Sequence, residues 1–121
     1  FGGNPLAMAV ANAVLDGLEE DGFLDAVRER IVSLEGYMTQ LQHAWPEQII
    51  ELRGAGLLRG LRLGDEIAVG EVTRVLRDRY LLCVPAADNV LRLLPPLTIS
   101  EDELAIAQSA LEHCFSEVAA A

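Results

Sequence analysis

The spacing of apolar residues changes at Trp45-Pro46, and that change restricts the chain to a mixed architecture. Upstream, Phe23, Leu24, Val27, Ile31, Leu34, Tyr37, Met38 and Leu41 recur at three- and four-residue intervals, the stripe of an amphipathic helix that ends near Trp45 and Pro46. Downstream, "QIIELRGAGLLRGLRLG" shifts toward a period of two. It reads as two short strands joined through Gly54-Ala55-Gly56, where glycines supply the positive φ of a tight connection. The alternation is imperfect: Leu61 and Leu63 share a face with Arg59, whose guanidinium is expected to bend out to solvent, while the role of Arg53 stays open.

The remaining elements follow from local signals. Asn4 before Pro5 opens a helix over about 5 to 20, because an Asx side chain caps free amides and proline at the first helical position already has helical φ. Leu6, Ala7, Met8, Ala9, Val10, Ala11, Ala13 and Val14 make that helix apolar on nearly every face, where a surface helix would show one stripe. It is therefore either the central helix of this domain or a linking helix buried against another domain or subunit. A third helix, about 67 to 80, turns Val72, Val75, Leu76 and Tyr80 inward and leaves Glu71, Arg74, Asp78 and Arg79 to water and to one another. "LLCVP" and "NVLRLL" are strand runs separated by "AAD". "SEDE" then opens a final helix as a capping box of Ser100 and Glu103, with Leu104, Ala107, Leu111, Phe115 and Val118 as its stripe and His113 on the solvent side. The order α-α-β-β-α-β-β-α predicts an α+β fold: one small, mostly antiparallel sheet of about four strands covered by helices.

Composition narrows the function. A chain of 121 residues that is 51% hydrophobic builds one core and one domain. Its formal charge of −10 argues against a nucleic-acid partner, which would need clustered basic residues. The longest apolar stretch, broken by Asn12, is shorter than the roughly 20 residues that cross a bilayer, so no membrane partner is expected. Cys83 and Cys114 lack metal-type spacing and read as buried, inert thiols of a reducing cytoplasm. His43, near a helix end with no second ligand at metal spacing, is expected to be solvated. All nine basic residues are arginine. With no lysine, the chain cannot itself supply a Schiff-base amine. A start at Phe1, without an initiator Met and on a Gly-Gly-Asn-Pro turn, leads us to expect a fragment with further chain upstream.

One cation stands out. In "NVLRLLPPLTIS", Arg92 lies between Leu91 and Leu93, and strand alternation sends it to the face opposite those leucines, together with Val90 and Leu94. Pro95 and Pro96 then end the pairing, which fixes the strand's exit just after the guanidinium. A rigid guanidinium beside apolar side chains suits a carboxylate, since the planar fork meets both oxygens. The alternative on spacing alone is an ordinary salt bridge to one of the chain's own acidic side chains.

Three stretches in order, "FGGNPLA", "LRGAGLLRGLRL" and "VPAADNVLRLLPPLTIS", resemble the C-terminal small domain of class III, ornithine-type aminotransferases, and within that class the acetylornithine type of arginine biosynthesis. The resemblance covers essentially the whole chain. It implies a small domain of fold type I packed beside a large cofactor domain of the same polypeptide in a homodimer, with the active site at their junction and pyridoxal phosphate as cofactor. It further implies that Arg92 holds the carboxylate of the amino acid or of 2-oxoglutarate. Gly2, Gly3 and Asn4 would lie near the cofactor phosphate without contacting it. The catalytic lysine, the aspartate on the pyridine nitrogen and the stacking aromatic residue belong to the large domain, so no cofactor is expected on this chain and the fragment alone is expected to be inactive. Ornithine, succinyl-diaminopimelate or 4-aminobutyrate as donor, and a free-standing amino-acid-binding regulatory module, are the alternatives.

Overall fold

The computed structural model describes all 121 residues. The elements run α1 (Pro5–Leu18), α2 (Phe23–Ala44), β1 (Ile49–Ala55), β2 (Leu58–Leu63), α3 (Val69–Asp78), β3 (Val84–Ala86), β4 (Val90–Leu93) and α4 (Glu101–Ala119), in the predicted order. The strands form one antiparallel sheet in the spatial order β1-β2-β4-β3. β4 is therefore internal, and its ladder is satisfied on both edges.

Helices α2, α3 and α4 cover one face of this sheet. Ile49, Leu61, Leu63, Leu91, Val72, Leu76, Cys114 and Phe115 are fully buried there, each large side chain contributing roughly 1.5–3 kcal/mol of burial. The ring of Phe115 packs on Trp45 at 6.2 Å between centroids and 33° between planes, tying α4 to the turn that follows α2. That turn changes the chain from helix to strand at the point where the apolar period changes.

The imperfect alternation has a physical source. Ile49 pairs with Leu63 but Glu51 pairs with Arg62, so Ile50 is the extra residue of a β-bulge. The bulge shifts the phase, and Ile49 and Leu52 both reach the helix side although they are three positions apart. The connection also differs from expectation. Gly54 and Ala55 belong to β1, and the turn is Gly56-Leu57, with Gly56 at φ 60 in the first central position. Gly54 is fixed for another reason: at φ 96, a Cβ there would lie 2.1 Å from the Leu58 carbonyl oxygen.

Two expectations are corrected, and one of the two readings of α1 falls away. α3 ends at Asp78, and Tyr80 sits beyond it at φ 61 and 98% exposed, because the chain must reverse there to enter β3. Arg59 is tucked away from solvent, its side chain 12% exposed, with Nε donating to the Gly56 carbonyl at 2.8 Å and Nη2 3.3 Å from Glu35 of α2. The partner that holds it lies across the sheet–helix interface, where spacing along a strand says nothing. Finally, α1 is not the central helix of this domain. Asn4 caps it, accepting from Leu6 N at 2.9 Å and Ala7 N at 3.3 Å, but none of its residues is buried.

Candidate functional site

The sheet face away from the helices is charged, and the register fixes its layout. Glu51, Arg62, Val90 and Ala86 stand in one cross-strand row. Arg53, Gly60, Arg92 and Val84 stand in the next. Arg92 is thus flanked by a glycine on β2 and a valine on β3, and the sequence-derived face assignment holds: Leu91 and Leu93 are buried while Arg92 is exposed. Leu94 falls past the end of β4 and lines a groove with Leu93 instead of flanking the guanidinium.

The hairpin carrying Arg92 is anchored just upstream of it. Asp88 and Asn89 take the left-handed conformation, at φ 63 and 55, which Asx residues tolerate. The Asn89 amide donates to the carbonyls of Ile67 at 2.8 Å, Gly64 at 3.1 Å and Leu63 at 3.4 Å, and its oxygen accepts from Val69 N at 2.9 Å. Ala68, the N-cap residue of α3, has no side chain able to do this, so Asn89 supplies the missing cap from the neighbouring hairpin. Downstream, Pro95 and Pro96 end the strand, and Ser100 with Glu103 forms the expected capping box at the start of α4.

Of the nine arginines, Arg28, Arg30, Arg53, Arg59, Arg62, Arg74 and Arg79 each lie within ion-pair distance of a carboxylate. That leaves Arg77, exposed on the last turn of α3, and Arg92, the one sheet arginine without an acidic partner. Its neighbours are engaged with one another. Arg53 Nη2 lies 2.7 Å from Glu51, Arg53 Nη1 lies 2.7 Å from Asp88, and Arg62 Nε lies 3.3 Å from the same Asp88 oxygen. The hydrogen bond from Arg53 holds both the Glu51 and the Asp88 carboxyl below the usual range, with Arg62 assisting through its charge. Two cations and two anions cancel, and Asp65, 91% exposed, touches the group only at 3.7 Å from Arg62.

Arg92 thus stands exposed on an internal strand with no acidic partner in the chain, and a guanidinium in that state is chemically able to meet both oxygens of a carboxylate. Gly60 is required by close packing: a Cβ there would lie 2.8 Å from Val90 Cγ1 and 3.6 Å from Arg53 Cβ. The best-formed concavity lies elsewhere. It is an apolar groove of about 260 Å³ between α2, α4 and the chain leaving β4, lined by Met38, Leu41, Leu93, Pro96 and Leu111, and offers no cation. Cys114 is buried and Cys83 half-buried, and burial pushes both thiols up to about 11, which makes them poor nucleophiles at neutral pH. His43 is exposed, and His113 is exposed with Nδ1 2.7 Å from the Ser109 carbonyl oxygen. No three His, Cys, Asp or Glu side chains are grouped to hold a metal, and no helix is long and apolar enough to cross a membrane. The Arg53–Asp88 pairing and the Asn89 anchor went unread in the sequence; the only signal was an Asp-Asn pair between two apolar runs.

Known proteins resemble this chain over most of its length. Residues 1–115 match the family model for aminotransferase class-III. The chain is 46% identical over 104 residues to an acetylornithine aminotransferase of Mesorhizobium japonicum, covering 86% of this chain and 26% of that protein. It is 47% identical over 103 residues to one of Agrobacterium fabrum, covering 85% and 25%. It therefore spans about a quarter of the length of these curated relatives. The N-acetylornithine aminotransferase of Stenotrophomonas maltophilia superposes with a TM-score of 0.87 at 29% identity, over 98% of this chain and 33% of that one. The acetylornithine aminotransferase of Elizabethkingia anophelis gives 0.87 at 30% identity, over 97% and 31%.

Proposed function

The chain belongs to the class III aminotransferases, and on that premise we propose that residues 1–121 are the C-terminal small domain of an acetylornithine-type transaminase in which Arg92 grips the substrate carboxylate. The parent enzyme would move an amino group between N-acetylornithine and 2-oxoglutarate. The observation that carries the assignment is the ion-pair pattern: every other sheet arginine is neutralised within the chain, and Arg92 is left free on an internal strand.

The family implies pyridoxal phosphate, and the residues present do not fit it. There is no lysine to bond its aldehyde, and Arg92 is the only unpaired cation of the sheet. The cofactor's chemistry therefore belongs to the large domain of the same polypeptide, and this domain alone does not transaminate. Its share is positional. Arg92 holds a carboxylate at a fixed place on the sheet, and effects of that kind account for several kcal/mol of a barrier without any proton leaving the guanidinium. The apolar α1, with no buried residue, is the linking helix, expected to be covered by the large domain or by the other subunit of a homodimer.

The test is Arg92→Lys in the full-length enzyme. A hydrogen bond to a charged partner is worth about 1.5–3 kcal/mol, so replacing the fork by a point charge should raise KM for amino donor and 2-oxoglutarate alike by about ten- to a hundredfold. Unchanged KM values for both substrates would remove Arg92 from the site.

A further inference from the structure

Arg53 and Arg92 face the same glycine from opposite sides: Gly60 pairs with Arg53 on β1 and with Arg92 on β4. Two strand spacings separate the two backbones, about 9.5 Å, which is comparable to the Debye length at physiological salt. At that separation the direct effect of the Arg53 charge on Arg92 is largely screened, so Arg53 influences Arg92 chiefly through the carboxylates that it holds. Asp88 sits in the hairpin that carries Arg92, four residues before it, and its carboxylate is the nearest internal candidate in sequence for that guanidinium. It is directed instead at Arg53, at 2.7 Å, with a longer contact of 3.3 Å to Arg62. Glu51, in the row beside, is held by Arg53 at 2.7 Å.

We propose that Arg53 is a positioning residue that keeps Arg92 available to the substrate by occupying the Asp88 and Glu51 carboxylates. Arg53 does not touch the substrate. It acts through charge balance: with it, the cluster of Arg53, Arg62, Glu51 and Asp88 is neutral; without it, one uncompensated negative charge remains beside a site that must bind an anion. The short contact to Asp88 is also lost, leaving that carboxylate with only the 3.3 Å contact to Arg62 and free to swing toward Arg92. Either effect opposes a substrate carboxylate, by repulsion or by competition for the same fork. Both carboxylates stay ionised at neutral pH whether or not Arg53 is present, since an unperturbed carboxylate titrates at about 4, so without Arg53 the competition would operate throughout the neutral range. This inference rests on Arg92 being the carboxylate-binding group.

The experiment uses the full-length, cofactor-loaded enzyme and glutarate, a dicarboxylate that cannot react, with its Kd measured by calorimetry. Arg53→Gln should weaken glutarate about tenfold, the effect of roughly one competing charged hydrogen bond. Arg53→Gln combined with Asp88→Asn should return Kd to within about threefold of wild type, because the freed carboxylate is gone. KM for the amino donor and 2-oxoglutarate should follow the same pattern while kcat changes less. Arg92→Gln separates the two claims. If it leaves glutarate binding unchanged, the assignment of Arg92 fails; if it abolishes binding while Arg53→Gln has no effect, only the role of Arg53 fails. A weakened single variant that the Asp88→Asn change does not rescue would show that Arg53 merely supports the sheet, and would overturn the proposal. Thermal melts of each variant check that the domain is folded.

Discussion

Asn89 is where the fold and the site depend most heavily on one side chain, and its removal can be worked out from the structure. The amide donates two good hydrogen bonds, to Ile67 and Gly64, and one long one to Leu63, while its oxygen caps α3 through Val69 N. Losing an N-cap costs about 1 kcal/mol. Losing the two good hydrogen bonds costs about 1 kcal/mol each. Alanine must also adopt the φ of 55, which adds about 1 kcal/mol for a residue with an ordinary Cβ. Asn89→Ala should therefore destabilise by about 4 kcal/mol, and Asn89→Gly, which carries no Cβ penalty, by about 3 kcal/mol.

The assay is urea unfolding of residues 1–121 followed by far-ultraviolet circular dichroism. With a urea m-value of about 2 kcal/mol/M, the alanine variant should move the midpoint down by about 2 M, at unchanged slope, and glycine by about 1.5 M. The ordering is as informative as the size. If alanine and glycine are equal, backbone strain is not part of the cost. If both lie within about 0.5 kcal/mol of wild type, the range of an ordinary surface substitution, the hairpin does not depend on this amide and the anchoring argument is refuted.

Acid sensitivity and self-association are two further expected outcomes. Glu51, Asp88 and Glu103 are all lowered in the folded chain, the first two chiefly by the hydrogen bond from Arg53 and the third by the Ser100 backbone amide. A lowered folded value means stability that is fully present above the unfolded value near about 4 and is lost as pH falls through the folded one. Thermal melts should be flat from pH 8 to about 5 and fall below about 4, and Asp88→Asn with Ser100→Ala should shallow that fall; an unchanged acid limb would refute the assignment of these groups. For α1, Val10 and Val14 are 56% and 57% exposed. The isolated domain should self-associate with rising concentration in light scattering, and Val10→Gln with Val14→Gln should weaken association at least tenfold, since each buried valine contributes roughly 1.5–3 kcal/mol. Association unaffected by both changes would remove α1 from the contact.

What could be read in the sequence was local. The caps at Asn4 and Ser100, the three- and four-residue stripe of α2, and the stop at Pro95-Pro96 depend on residues a few positions apart, and each was legible. The face of Arg92 was legible for the same reason: β4 is four residues long and carries no bulge, so alternation survives. β1 shows the limit, because the single extra residue Ile50 inverts the phase and composition does not announce it. Arg59 shows another, since its partner Glu35 lies 24 positions away on α2 and only folding brings them together. The absence of a partner for Arg92 was beyond reach altogether. With 19 acidic residues in the chain, any of them was available to neutralise it, and only the finished register shows that the near ones are taken by Arg53 and Arg62.

The exposure of Arg92 bears on where binding strength arises. An ion pair in open water is worth about 0.2–1 kcal/mol, too little to select a substrate. The same fork in a water-excluded cleft reaches about 1.5–3 kcal/mol per charged hydrogen bond. Within residues 1–121 Arg92 is exposed, and no residue of α1 is buried. On the proposed function, a large domain that covered this sheet face would exclude water from Arg92. The division of labour is then physical: this domain would supply the cation, and a junction with the large domain would supply the low dielectric that strengthens its hold on a carboxylate.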